Sequence, residues 1–276
     1  MKEFEVLLEE LAVTSDIETQ CTVISRLGDS GEIGAVDFLI KYLSKKVDNE
    51  VKSYAANAII RICDKKAPKQ LLKLLRHESW ITRMKATEIL GEIGDKRAVN
   101  PLIRILRTDP EPSVKEWAAI ALGKIREKKA SKPLVASLIS DPNATVRMEA
   151  AIALGLIKEK KALNPLLDAY YLDDDYRVKW AAAASLAKMD AEKSKDIIDE
   201  LSANLIDVIR TEKDEMILGA AAKTLGEIGN EITAKILLKT MKVSKELVRL
   251  EINLALGRMA KRLNYKNKEE LMKNIQ

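Results

Sequence analysis

The feature that most constrains this chain is a repeat. The segments VKEWAAIALGKI (114–125), VRMEAAIALGLI (146–157) and VKWAAAASLAKM (178–189) align without gaps. With the glycine of the Leu-Gly pair as a marker, the series runs Gly28, Ile60, Gly91, Gly123, Gly155, Ala187, Gly226, Gly257, in steps of 32, 31, 32, 32, 32, 39 and 31 residues. Self-similarity at a fixed period of this length is the signature of a stacked array. Each marker is followed by a short turn (GDKRAV, REKKAS, KEKKAL) and then a second apolar run such as PLIRILRTD. Pro101, Pro133 and Pro165 recur 32 apart, where the first turn of a helix tolerates a missing N–H. Asp109, Asp141 and Asp173 recur at the same interval, just before the next Val-Arg/Lys.

Each copy therefore reads as helix A, a turn, helix B and a turn, with no strand signal. Helix B, which holds the marker, has apolar residues at steps of three and four with alanines between them. Alanine is the best helix former, and its small side chain lets neighbouring helices approach closely. The marker glycine, near the helix's end, is expected to ease close packing and termination. A lone helical pair cannot bury both of its apolar faces, so stacked pairs share one continuous core. The expected fold is an all-α, right-handed solenoid of about eight helical pairs over 1–276, a single domain with degenerate capping copies at about 1–60 and 226–276. The step of 39 is expected to lengthen helix A in AEKSKDIIDELSANLIDVIRTEK. The tail is expected to form a last helix with Asn267 as N-cap and Glu270 completing a capping box.

The pattern Asp-Pro-x-x-x-Val-Arg-x-x-Ala-Ala-x-Ala-Leu-Gly-x-Ile, seen in DPNATVRMEAAIALGLI, resembles the HEAT-like repeats named after phycobilisome lyases. The resemblance covers about residues 1–263, and these units are shorter than HEAT units of roughly 40 residues. In related solenoids the third, fourth, seventh and eleventh positions of helix B point away from the core and line the concave, partner-facing surface. Here those positions are Ser53, Tyr54, Asn57 and Arg61, then Met84, Lys85, Glu88 and Glu92. Copy 4 supplies Glu116, Trp117, Ile120 and Lys124, copy 5 Met148, Glu149, Ile152 and Leu156, and copy 6 Trp180, Ala181, Ala184 and Lys188. Aromatic residues are only 4% of the chain, so two of its three tryptophans at such positions stand out. Tyr54, Met84, Trp117, Ile120, Met148, Ile152, Leu156 and Trp180 form the expected partner-binding stripe, since exposed aromatic and Met side chains are common interface anchors.

A basic residue follows the helix-B valine as Lys52, Arg83, Lys115, Arg147, Lys179 and Arg249, with Gln20 and Leu218 as the exceptions. An acid lies six residues upstream in four copies, at Asp109, Asp141, Asp173 and Glu212, the last facing Leu218. In HEAT-like proteins such Asp and Arg positions bridge adjacent repeats, and Asp also caps helix N-termini. A residue repeated in every copy is read as architecture.

Composition narrows the chemistry. His77 is the single histidine, and it stands where other copies place Asp, so it is read as a turn or capping residue. One histidine removes every His-based metal cluster, including the His-Glu pairs that iron requires in HEAT-like deoxyhypusine hydroxylases. Cys21 and Cys63 are too few for a disulfide framework or a Cys-rich zinc site, and read as semi-buried small residues in a reducing compartment. Asp173, Asp174 and Asp175 lack the glycine and distal Glu of a calcium loop. No phosphate loop, nucleophile elbow or dinucleotide fingerprint is present. No catalytic residue, metal or cofactor is expected.

The net charge is +5, and from Arg258 onward six basic residues oppose two acids, leaving about +1 for the rest. A protein that reads nucleic acid by neutralising phosphates shows a stronger basic face. No apolar stretch approaches the roughly 18–20 residues of a membrane span, and the first residues form an amphipathic helix and not a signal peptide, so a cytoplasmic protein is the expectation. The leading functional reading is a non-enzymatic scaffold that holds a protein or peptide partner on its helix-B face. The alternatives are a nucleic-acid-binding protein like the HEAT-like DNA-repair glycosylases, using Arg61, Lys85, Lys124 and Lys188, or a chromophore-handling protein like the phycobilin lyases.

Overall fold

A computed structural model describes residues 3–45, 47–63, 69–189, 195–242 and 244–275. The helices group into two compact units, residues 1–157 and 158–276. The first contains α1 (Glu3–Val13), α2 (Ile17–Asp29), α3 (Ala35–Ser44), α4 (Asn49–Ile62), α5 (Lys69–Leu74), α6 (Trp80–Ile93), α7 (Val99–Thr108), α8 (Pro112–Ile125), α9 (Ser131–Ser140) and α10 (Ala144–Ile157). The second contains α11 (Leu163–Leu172), α12 (Tyr176–Met189), α13 (Lys195–Thr211), α14 (Glu215–Ile228), α15 (Glu231–Met241), α16 (Glu246–Arg262) and α17 (Lys268–Ile275). Odd-numbered helices up to α15 are the A helices and even-numbered ones the B helices. Among the described residues the first unit is thus an all-α solenoid of five helical pairs, and the second an all-α stack of three pairs with one further helix.

The local chemistry follows the repeat. Pro101, Pro133 and Pro165 each stand third in their A helix, after a single 3₁₀ turn whose last residue is Ala98, Ala130 or Ala162. Helix α13 has 17 residues against 10 in α7, α9 and α11, so the longer step does extend an A helix; residues 190–194 lie outside the described residues. Asn267 accepts the Glu270 N–H at 2.9 Å, and the Glu270 carboxylate reaches back to the Lys266 N–H at 2.5 Å, one residue earlier than in a standard capping box.

Within each unit the cores are built from Ala and Leu of the B helices against Leu and Ile of the A helices. In α8, for example, Val114, Ala118, Ala119, Ala121 and Leu122 are buried. The marker glycines serve packing. A Cβ on Gly28 would lie 2.9 Å from the Ala58 Cα, on Gly91 2.8 Å from Ala121 Cα, and on Gly226 2.8 Å from Ala255 Cα. Each of these three markers therefore abuts the alanine two residues before the marker position of the next B helix.

The marker glycines do not end the helices, contrary to the expectation. That role falls three residues later, where Gly94 (φ 73°), Arg126 (φ 58°) and Lys158 (φ 57°) adopt the left-handed conformation. The turn lets the Gly94 and Arg126 N–H groups close onto Leu90 and Leu122 carbonyls.

The recurring acids and bases bridge copies, as the resemblance implied. Arg83 on α6 donates from Nε and Nη2 to the Asp109 carboxylate at 2.7 and 2.9 Å, and Lys115 on α8 reaches Asp141 at 2.9 Å. The partner is thus the acid of the following copy, 26 residues on. Arg83 also donates to the His77 and Glu78 carbonyls, both at 2.9 Å. The acids do not act as N-caps. Asp109, Asp141 and Asp173 accept the N–H two residues ahead, from Glu111, Asn143 and Asp175, and so shape the turn before helix B. His77 does the same with its Nδ1, which accepts the Ser79 N–H at 3.1 Å.

Because His77 replaces the carboxylate at that position, the preceding copy's cation meets no acid among the described residues. Lys52 is 5% exposed, and its Nζ reaches Thr82 Oγ1 at 3.5 Å. The Thr82 hydroxyl is itself committed to the Leu43 carbonyl at 2.9 Å. Burial pushes the Lys52 ammonium pKa down.

Candidate functional face

Within each unit the B helices stand in register, so equivalent positions form rows across them. In the first unit the third position supplies Met84, Glu116 and Met148 on α6, α8 and α10. The seventh supplies Glu88, Ile120 and Ile152, and the eleventh Glu92, Lys124 and Leu156. None of the side chains named at the third, fourth, seventh and eleventh positions of copies 2–6 is fully buried. By contrast the sixth position is buried in Ala56, Thr87, Ala119, Ala151 and Ala183. The helical period alone separates these two sets.

Of the expected stripe, Tyr54 is exposed at 40%, while Met84, Trp117, Ile120, Met148, Ile152, Leu156 and Trp180 are half-buried. Tyr54 borders an open groove of about 710 Å³ between α2 and α4, lined also by Asp16, Cys21, Ser25 and Glu50. In the second unit Trp180 packs against Tyr176 one turn earlier, with ring centroids 4.7 Å apart.

The eleventh-position row carries alternating charge. Arg61 on α4 lies 3.4 Å from Asp29 on α2, and Lys124 on α8 pairs with Glu92 on α6. In the second unit Glu227 on α14 takes both Lys188 on α12 (2.9 Å) and Arg258 on α16 (3.5 Å). Lys85 pairs with Glu88 within α6 at 2.9 Å. All four bases considered for phosphate binding, Arg61, Lys85, Lys124 and Lys188, are therefore each matched by a carboxylate on the same face. That arrangement removes the uncompensated positive potential that a nucleic-acid face requires.

Two prominent side chains were missed in the sequence. The third and seventh positions of α16 carry Leu250 and Leu254, 55% and 49% exposed. Reading the same positions through the degenerate last copy would have found them. Cys21 and Cys63 are both buried, and burial raises both thiol pKa values, so they remain protonated small core residues. Among the described residues no group of three or more His, Cys, Asp or Glu side chains is placed to hold a metal ion, and no helix is long and apolar enough to cross a membrane.

Comparison with known proteins agrees with the fold. The family model for HEAT repeats matches residues 36–123, 68–154, 99–187 and 131–204, and the chain belongs to the HEAT-repeat family. No curated protein matches the sequence. Among solved structures, the chain is similar to the complex of CpcE and CpcF of phycocyanin lyase from Nostoc sp. PCC7120, with 20% identity, a TM-score of 0.57, and coverage of 100% of this chain and 96% of that one. It is also similar to the Kap95:Nup1 complex (12% identity, TM-score 0.56, 95% of this chain and 42% of that one). Importin beta is a third (16% identity, TM-score 0.51, 94% and 41%). At these identities the likeness concerns the fold.

Proposed function

We propose that this chain is a non-enzymatic scaffold that holds a protein or peptide segment on its helix-B face. The observation that carries the reading is the composition of that face. Aromatic and Met side chains stand half-exposed at positions the repeat leaves free, while the bases around them are matched by acids. Such a surface offers apolar anchors with little net charge, which suits a polypeptide better than a polyanion. The same fold is found in assemblies of proteins in the CpcE–CpcF and Kap95:Nup1 structures.

Replacement of Trp117 and Trp180 by alanine tests the reading. The expected result is loss of a partner captured from native lysate by the wild-type chain, with the melting temperature nearly unchanged. A large drop in stability with partner capture retained would assign both tryptophans to the core and end the proposal. A gel shift supplies the second arm: no salt-dependent DNA binding is expected at micromolar protein.

A further inference from the structure

On the helix-B face of copies 3 and 4, the cations are fully committed. Arg83 is bound to Asp109, Lys85 to Glu88, Lys115 to Asp141 and Lys124 to Glu92. These pairings leave Glu116 on α8. It is half-buried, and among the described residues no hydrogen bond or ion pair reaches its carboxylate. Its row places it between Met84 on α6 and Met148 on α10, next to Trp117 in the chain and one turn before Ile120. A carboxylate partly withdrawn from water without a compensating donor is a standing cost to the free protein. Burial accordingly pushes the Glu116 pKa up.

Resting on the proposed scaffold function, we infer that the bound segment presents a lysine or arginine to Glu116, flanked by apolar side chains that settle on Met84, Ile120 and Met148. The charge complementarity is specific, because among the described residues each cation of α6 and α8 is already paired with another acid. A charge-assisted hydrogen bond formed in a desolvated groove is a strong and discriminating contact. The Trp117 ring offers an adjacent π face for the same cation.

Selection of random 12-residue displayed peptides on the purified full chain tests this directly. Peptides recovered on the wild type are expected to share one basic residue among apolar ones. Changing that residue to alanine, or Glu116 to Gln, is expected to weaken binding about 10-fold or more. E116Q is expected to melt no lower than the wild type, which separates lost recognition from lost folding. Glu116→Lys is expected to reverse the preference toward peptides carrying an acid at that place. Selected peptides that need Trp117 but show no preference for a basic residue would overturn this inference and leave the scaffold reading intact. Peptides indifferent to Trp117→Ala, or recovery of none, would overturn both.

Discussion

A Cβ placed on Gly123 would stand 2.9 Å from the Cα of Ala153, on the next B helix. No real Cβ sits so close to backbone, so the distance between α8 and α10 is fixed by the absence of one methyl group. The alanine in register on the facing helix completes the approach.

Gly123→Ala is therefore expected to destabilise the chain. Overpacking of a well-filled core costs about 1–3 kcal/mol, and the gain in helix propensity of about 1 kcal/mol offsets only part of it. Gly257→Ala is expected to do the opposite, because a Cβ there meets nothing within 4 Å. It gains about 0.5–1 kcal/mol from propensity alone. Urea unfolding of the two variants, side by side, should show midpoint shifts of opposite sign.

Asp109→Asn removes a buried carboxylate that holds two nitrogens of the Arg83 guanidinium and the Glu111 N–H. The remaining arginine, largely shielded from water, would keep its charge without its counter-ion. A loss of about 3 kcal/mol is expected, the range for breaking one side of a buried pair. Equilibrium denaturation checks it, and Arg83→Met in the same background should recover part of the loss.

Lys52→Met should stabilise the protein, since it replaces an ammonium buried without an acid by an apolar chain of similar length. The pH dependence has a definite sign. The folded-state pKa of Lys52 lies below its ordinary 10.5, so between the two values the unfolded chain binds more protons and stability rises with pH. The gap in melting temperature between K52M and the wild type should thus narrow as pH is raised toward 10.5. A constant gap across that window would contradict the burial of an uncompensated charge.

Arg126 ends α8 with φ 58° and ψ 30°, where the equivalent residue of α6 is Gly94. A non-glycine residue in this region costs about 1 kcal/mol. Arg126→Gly is expected to raise stability by about 0.5–1 kcal/mol, measured as an upward shift in melting temperature.

Much of the fold was legible because the repeat places the same residue in the same environment several times. The marker series located every B helix, the prolines marked A-helix first turns, and the longer step foretold the 17-residue α13. Helical period set Trp117 and Trp180 apart from the buried positions of their helices, while the structure shows them half-exposed where the sequence expectation was an exposed stripe. The resemblance implied that acids and bases bridge copies, but not which acid each base would choose. Arg83 lies six residues after His77 in its own copy, yet its carboxylate partner is Asp109 in the next. That choice depends on how far apart stacked helices sit, which one copy's sequence does not encode. The same reason hid the matching of Lys124 by Glu92 and the isolation of Glu116, since each is defined by what neighbouring helices supply. Helix termination was misassigned to the marker glycines because Arg126 and Lys158, which adopt the left-handed turn, carry no compositional signal for it.

The forward reach of each copy's cation has a consequence for how such chains change length. If one 32-residue copy between α6 and α10 were lost by unequal crossing-over, Arg83 would meet Asp141 in place of Asp109, and Gly91 would meet Ala153 in place of Ala121. No buried ion would be orphaned, and no glycine would lose its alanine. Insertion of a copy is equally silent, so the number of repeats can drift by recombination while point substitutions at the free positions rewrite what the surface recognises.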